Sequence, residues 1–414
     1  MPFSLSQCRL CGNQELVSIL ELGDQALTGV FPRTRDDRIT RGPLELVKCH
    51  GALACGLIQL NHSYEAREMY GENYGYRSSQ NQTMIDHLRK KANNLRDRFP
   101  IQSGDLVLDI GSNDGTLLSF FPDTATRVGM DPTAAKFRNA YETGIEVVAN
   151  FFSADLFRQR FPNRNAKIVT SIAMFYDLED PVAFVKEILS ILDDEGIWHF
   201  EQSYMPAMLA VNAYDTICHE HLEYYALKQI KWIADRCGLK ILDVEQNDVN
   251  GGSFAVTVAK DGSSYSKNSS EVAAILDAET KSGLDTLEPY AAFKARTFEH
   301  RSKLLELLAD LRSHGARVLG YGASTKGNVI LQFCGIKSAL LSAIAEVNPD
   351  KIGSFTPGTL IPIVSEAEAH ALQPDYLLVL PWHFRENILR REANFLARGG
   401  KIIFPLPQIE IVGK

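Results

Sequence analysis

The sequence predicts an α/β protein in which two units of parallel sheet follow a small metal-stapled module. Three observations predict it. Four of seven cysteines fall in the first 55 residues, strand and helix patterns alternate from about residue 73 to 260, and a second alternation restarts at residue 317. A chain of 414 residues is also long enough for two or three domains, with boundaries read here as 1–72, 73–262 and 263–414.

The first module holds Cys8-Arg-Leu-Cys11, a pair two residues apart, and then Cys49 and Cys55, a wider pair. Four thiolates close a tetrahedral Zn2+ site and leave no open coordination position, so the metal is expected to be structural. His50 is an alternative fourth ligand. About 70 residues make a small core, which such a staple supports. Strand-like runs lie at 44–47 and 57–60.

In the second segment, residues 106–110, 127–131, 145–150, 168–173 and 197–201 read as strands, and 240–244 with 254–259 as a late pair. The loop Asp109-Ile-Gly111-Ser-Asn113-Asp114-Gly115 joins the first strand to a helix. Its glycines permit a tight turn and close backbone approach, and Asn113 tolerates a left-handed conformation. The spacing is not that of the dinucleotide fingerprint. It resembles motif I of class I methyltransferases, where an acid precedes G-x-x-x-G, and so implies S-adenosyl-L-methionine as cofactor. Asp131, ending the second strand, stands where such folds bind ribose hydroxyls. By the same resemblance, Asn150, Phe151 and Phe152 flank the adenine, and Ala173, Met174, Phe175 and Tyr176 line the cofactor near the acceptor.

The stretch Tyr214-Asp-Thr-Ile-Cys218-His219-Glu220-His221-Leu-Glu-Tyr224-Tyr225 follows the fifth strand, at the carboxyl edge where α/β sheets bind ligands. Carbon methylation first needs a proton removed α to a carbonyl, and an imidazole suits that task. A neighbouring carboxylate is expected to orient it. Two histidines and a glutamate this close together make shared metal coordination awkward.

Residues 269–314 are rich in helix formers, and strands are expected at 318–321, 341–347, 376–380 and 401–404. Gly320-Tyr-Gly322-Ala-Ser-Thr-Lys326 follows a strand and opens a helix, a setting for phosphate. Thr325 stands at the third fingerprint position, against a nicotinamide dinucleotide. Lys326 is the candidate phosphate contact. His383 either faces the interdomain cleft or is structural.

Net charge is −8 and no basic block occurs, which excludes an electrostatic footprint for nucleic acid. No apolar run is long enough to span a membrane, and residues 1–10 lack a signal-peptide pattern. A cytoplasmic monomer is expected.

Taken together, the cysteine module, Tyr74-Gly-Tyr76-Arg-Ser-Ser79, Asp109 to Gly115, Glu220-His221, Asn250-Gly251-Gly252, Gly320 to Lys326 and Thr356-Pro-Gly358-Thr-Leu-Ile-Pro362 resemble the sugar-nucleotide C-methyltransferase family. Its members act at C3 of dTDP-4-keto-deoxy-sugars, and the likeness covers nearly the whole chain. It implies that His221 is the base with Glu220 beside it, that Tyr74 or Tyr76 reaches the acceptor, and that the nucleotide lies between the second and third domains. Ser79 and Asn250, Gly251 and Gly252 then belong to the substrate site. Where members carry a tyrosine three residues before the histidine, this chain has Cys218, so Tyr214 or Tyr224 is expected to take that place. Competing readings are O- or N-methylation of another small molecule, a noncatalytic nucleotide- or partner-binding protein, and an NAD-dependent enzyme.

Overall fold

The computed structural model describes residues 3–70 and 76–413. Strands β1 (Leu16–Ala26), β2 (Arg41–Cys49) and β3 (Ile58–Leu60) form an antiparallel meander around the cysteines. Helix α1 (Gln82–Arg98) follows, its first turn capped by the Asn81 side chain, which accepts from the Thr83 N–H at 3.0 Å.

The next strands are β4 (Leu106–Ile110), β5 (Thr126–Met130), β6 (Ile145–Val148), β7 (Ala166–Ile172), β8 (Leu192–Ser203), β9 (Glu223–Tyr224), β10 (Leu239–Asn247) and β11 (Ser253–Lys260). All but β9 join one seven-stranded sheet in the order β10-β11-β8-β7-β4-β5-β6. The neighbours from β8 to β6 pair in parallel, while β11 runs antiparallel to both β8 and β10. Every residue of β4 is buried, as a central parallel strand covered on both faces requires. One face packs on Met84, Leu88, Ala92 and Leu95 of α1. The other packs on helices α2 (Pro181–Ile191) and α3 (Leu227–Cys237).

Helices α4 (Ser269–Lys281) and α5 (Glu288–Ser313) lead into the second sheet. Its strands are β12 (Val318–Tyr321), β13 (Ile344–Glu346), β14 (Ile363–Ser365), β15 (Tyr376–Val379), β16 (Lys401–Phe404) and β17 (Glu410–Val412). They are ordered β14-β13-β12-β15-β16-β17, parallel except for β17. Helix α6 (Thr325–Cys334) leaves the glycine-rich loop with Ser324 as its cap, the hydroxyl accepting from Gly327 N–H at 3.0 Å.

The predicted parallel strands are present, most within two residues of their expected ends, while β8 begins five residues earlier, at Leu192, and β13 three residues later, at Ile344. Four other strands differ from the sequence reading. β1, β14 and β17 were not anticipated, and β9 leaves its own segment to become the fourth strand of the N-terminal sheet, paired antiparallel with β3.

Phe175 is 1% exposed and rings against Trp198, Phe200 and Tyr225 at 5.3 Å between centroids. Phe175→Ala should therefore cost about 3–5 kcal/mol of stability, measured by urea unfolding of the full chain.

Candidate active site

One cleft of about 1100 Å³ opens at the carboxyl ends of β4, β5, β7 and β8, and the loop 322–326 of the second sheet forms its opposite wall. Ligands of open α/β sheets bind at such edges because the strand connections diverge there. Here β4 sends its chain toward β5 on one side, with β7 on the other.

The β4 loop is shaped by positive φ at Gly111 (73°), Asn113 (52°) and Gly115 (79°). A Cβ at Gly111 would stand 3.2 Å from Met174 Cγ, so glycine keeps open the gap between this loop and the end of β7. A Cβ at Gly115 would strike the Tyr141 ring at 2.6 Å, so this glycine serves packing and does not line the cleft. The Asn113 side chain clamps the approach to α1. Its Oδ1 accepts from Ser78 N–H and its Nδ2 donates to the Tyr76 carbonyl, both at 3.0 Å. Ser79 N–H donates to Asp114 at 3.0 Å, and Ser79 is not among the residues lining the cleft. Tyr76 lines the cleft with its side chain 47% exposed, whereas Tyr74 lies outside the described residues.

Asp131 sits just past β5. One carboxylate oxygen accepts from Asn113 N–H at 2.9 Å, the other from the Thr133 N–H and hydroxyl at 2.5 Å. The oxygen bound by Asn113 keeps acceptor capacity for a further donor. Asp109 lines the cleft floor, accepts from the Thr170 hydroxyl at 2.6 Å, and is pushed up to about 7 by burial. Phe151, Phe152, Ala173 and Met174 also line the cleft. Asn150 does not, its amide oxygen taking the Phe151 N–H, and neither does Phe175, which is a core residue.

In the 214–225 segment, Cys218, Glu220 and His221 face the cleft. His221 Nδ1 lies 2.8 Å from the Thr216 carbonyl, and its ring tilts against Tyr176 at 4.3 Å. A carbonyl only accepts, so Nδ1 carries the proton and Nε2 is left as the acceptor. The orienting partner is thus a backbone carbonyl and not the neighbouring carboxylate expected from the sequence. Burial, and after it the positive charge of Lys326, draws the His221 imidazole down to about 3, so it is neutral at physiological pH. Glu220 Oε2 instead takes the Thr28 hydroxyl at 3.2 Å, and burial raises its carboxyl. His219 turns away, edge-on to Tyr64 at 4.6 Å.

Two tyrosines proposed from the sequence are not brought to the cleft. Tyr214 is fully buried, its hydroxyl 3.0 Å from His300 Nδ1 and 3.7 Å from Cys334 Sγ. The Tyr224 hydroxyl donates to the Thr216 carbonyl at 3.4 Å from within β9. Gly251 and Gly252 also sit behind the lining. Their φ values of 91° and 117° turn the chain so that Asn250 reaches the cleft, and a Cβ on Gly252 would stand 2.6 Å from that of Ala207. Lys326 is set into the cleft wall, donating to the Asn250 carbonyl at 2.8 Å, with His383 nearby in the lining. Glu346 binds backbone N–H groups of Ala323, Val347 and Asn348, which fixes the β12 and β13 loops to each other. Lys351 was missed by the sequence reading. It donates to the Ala323 carbonyl at 2.8 Å and lines the same wall, and its only sequence signal was a cation five residues past Glu346.

Family models match in three blocks: a zinc binding domain at residues 8–70, a methyltransferase domain at 84–244 and a C-methyltransferase C-terminal domain at 248–407. A curated relative, C-methyltransferase NovU of Streptomyces niveus, is 30% identical over 412 residues, 99% of this chain and 97% of that protein. The chain belongs to the C-methyltransferase family. Solved structures that align with part of the chain include the plantazolicin methyltransferase BpumL with S-adenosylhomocysteine (12% identity, 44% of this chain and 87% of that one, TM-score 0.35). LepI with S-adenosylmethionine is another (14%, 44% and 53%, TM-score 0.33).

The protein is thus an S-adenosylmethionine-dependent methyltransferase with an N-terminal zinc module. The residues present fit both groups. The Sγ atoms of Cys8, Cys11, Cys49 and Cys55 all lie within 4.8 Å of one another, with 3.6 Å between Cys8 and Cys55 and 3.5 Å between Cys11 and Cys49. A tetrahedral site with Zn–S near 2.3 Å needs sulfurs about 3.8 Å apart. Gly12 and Gly56 follow the second cysteine of each pair at φ of 73° and 76°, turning each knuckle about the metal position. His50 is not in this cluster. For the cofactor, the open cradle at Gly111 and the spare acceptor capacity of Asp131 beside Phe151 suit an adenosyl group. Among the described residues, no helix is long and apolar enough to cross a membrane.

Stripping zinc with a strong chelator should make residues 8–60 the first protease-sensitive region of the methyltransferase, read by mass spectrometry of the early fragments. Tyr214→Phe should lower stability by about 1 kcal/mol while methylation is retained, because the hydroxyl ties core elements and does not face the cleft. Loss of turnover in a folded Tyr214→Phe protein would contradict this.

Proposed function

We propose that this methyltransferase acts on a 4-keto-deoxy-sugar nucleotide, dTDP-linked, and places the methyl group at C3, the carbon α to the carbonyl. The observation that carries the reading is His221. Its Nδ1–H is spent on the Thr216 carbonyl, so Nε2 presents a neutral proton acceptor in a cleft walled by the cofactor loop and by Lys326. A base is what carbon methylation needs and what a more nucleophilic heteroatom acceptor needs less.

In this reading Nε2 of His221 takes the C3 proton, and the electron pair of the C–H bond moves to the carbonyl oxygen as an enolate. The Tyr176 ring and the Thr216 carbonyl hold the imidazole at one orientation while it does so. S-adenosylmethionine, when bound, supplies the electrophilic methyl that the enolate carbon takes up. Asp131 and the 111–115 loop hold the adenosyl portion, with Phe151 and Phe152 along it. Glu220, Tyr76 and Asn250 contact the sugar, and Lys326 with Lys351 receives the diphosphate. Residues 1–72, 73–262 and 263–414 then serve as zinc module, cofactor domain and nucleotide-sugar domain, within a cytoplasmic monomer.

The test is solvent exchange. In D2O with a dTDP-4-keto-6-deoxyhexose, the protein should place deuterium at C3, and with cofactor it should add one methyl there. Deuterium at C5 instead would move the methyl to the other α carbon, and a methyl gain without α-proton loss would favour a heteroatom acceptor. His221→Asn should slow exchange by roughly 10²–10⁴-fold with cofactor affinity unchanged. Because His221 is drawn down to about 3, it stays deprotonated as pH falls from 8 to about 5.5, so kcat/KM should show no histidine inflection in that range.

A further inference from the structure

We propose that Gln202 engages the carbonyl oxygen of the acceptor, donating from its amide nitrogen to the oxygen that gathers charge when the α proton leaves. This rests on the keto-sugar reading above.

Gln202 stands near the carboxyl end of β8, beside the end of β7, where Ala173 N–H donates to the Glu201 carbonyl at 2.7 Å. Side chains alternate along a strand. Glu201 points to the α1 face, held by His87 and Lys91, each at 2.6 Å. Trp198 and Phe200 point to the other face, among Phe175 and Tyr225. Gln202 shares that second face, the one bearing the 214–225 segment and His221. In this sheet the cofactor loop follows β4 and the ribose acid follows β5, so an acceptor near His221 lies over the ends of β7 and β8.

The amide itself is the second observation. Gln202 is 1% exposed and lines the cleft, yet neither its nitrogen nor its oxygen has a hydrogen-bond partner among the described residues. Leaving a buried polar atom unpaired costs about 1–3 kcal/mol, and this side chain has two. Three other polar side chains along β8 are satisfied. Trp198 Nε1 donates to Ser171 at 2.9 Å, His199 Nδ1 meets Thr257 at 2.9 Å, and Glu201 also receives Asn247 at 2.7 Å. An amide suits a ketone that becomes an enolate. It donates to the oxygen without a proton of its own to lose to the base, and its carbonyl accepts from a sugar hydroxyl.

The experiment uses the full-length zinc-loaded protein and a dTDP-4-keto-6-deoxyhexose in D2O. Gln202→Met, which removes both unpaired polar atoms at similar volume, should keep or raise the melting temperature and leave S-adenosylmethionine affinity unchanged. It should slow α-proton exchange by about a hundredfold, the size of one lost oxyanion donor. Should that variant fail to fold, Gln202→Asn withdraws the same amide by one methylene and should show the same split. Wild-type exchange in either folded variant overturns the assignment. Absence of exchange in the wild-type protein overturns the keto-sugar reading instead and takes this assignment with it, so the two failures are told apart.

Discussion

The hydrogen-bonded edge between the zinc module and the 214–225 segment is the constraint on which the cleft depends. Glu223 and Tyr224 pair with Gln59 and Ile58, and Leu60 N–H donates to the Leu222 carbonyl at 2.8 Å. One residue earlier stands His221, while Leu222 N–H donates to the Tyr176 carbonyl at 2.8 Å. His221 is thus suspended between two sheets, one built around four thiols and one carrying the 111–115 loop. Arg9, inside the first cysteine knuckle, extends the link. Its guanidinium donates to the Leu60 and His62 carbonyls and to Ser63, and faces Glu223 at 3.7 Å and Glu179 at 3.5 Å. On the proposed reading, a structural metal remote from the chemistry thus bears on the position of the base through backbone pairing.

The same module also ties in the second sheet. Gln332 of α6 brackets Ala26, accepting from its N–H at 2.7 Å and donating to its carbonyl at 3.1 Å, and Asn328 donates to the Thr28 carbonyl at 2.8 Å. Between these contacts Glu220 leans on Gly29, where a Cβ would stand 2.6 Å from Oε1. Residues 26–29 are accordingly a three-way junction. They receive α6 from one domain and the carboxylate of the catalytic segment from another, and the absence of a side chain at Gly29 lets the two approach.

Much of this was legible in the sequence, for a physical reason. Parallel strands buried on both faces leave unbroken apolar runs, so β4, β12 and β16 could be bounded to the residue. The cysteine spacing and the loop from Asp109 to Gly115 carried their chemistry in their residue types. Position relative to other segments was not legible. Phe175 and Tyr176 are adjacent, yet one is core and the other lines the cleft. Tyr214 looked like a substitute for the tyrosine that Cys218 replaces, but a tertiary contact with His300 claims it. β9 is two residues long and has no periodicity to read; only the partner strand β3, more than 160 residues away, makes it a strand. Lys351 and Gln202 were invisible for the same reason, since nothing local marks a lone polar residue as facing a cleft.

Electrostatics then join these positions into one working site. Burial raises Asp109, Glu220 and Asp177 and lowers His221, Lys326 and Lys351, so each of these six groups is biased toward its neutral form. For His221 the second cause of the shift is the positive charge of Lys326. On the proposed reading, a diphosphate bound at Lys326 offsets that charge and raises the proton affinity of the imidazole. The base then strengthens when the nucleotide-sugar arrives and stays weak without it. Acid–base catalysis is most effective when base strength is matched to the proton being moved, and here the substrate's own phosphates would supply part of that match. The lysine wall belongs to the second sheet and the histidine to the 214–225 segment, and the two are held at one cleft by direct contacts, Lys326 on the Asn250 carbonyl and Trp382 on Asp215, as well as by the junction at residues 26–29.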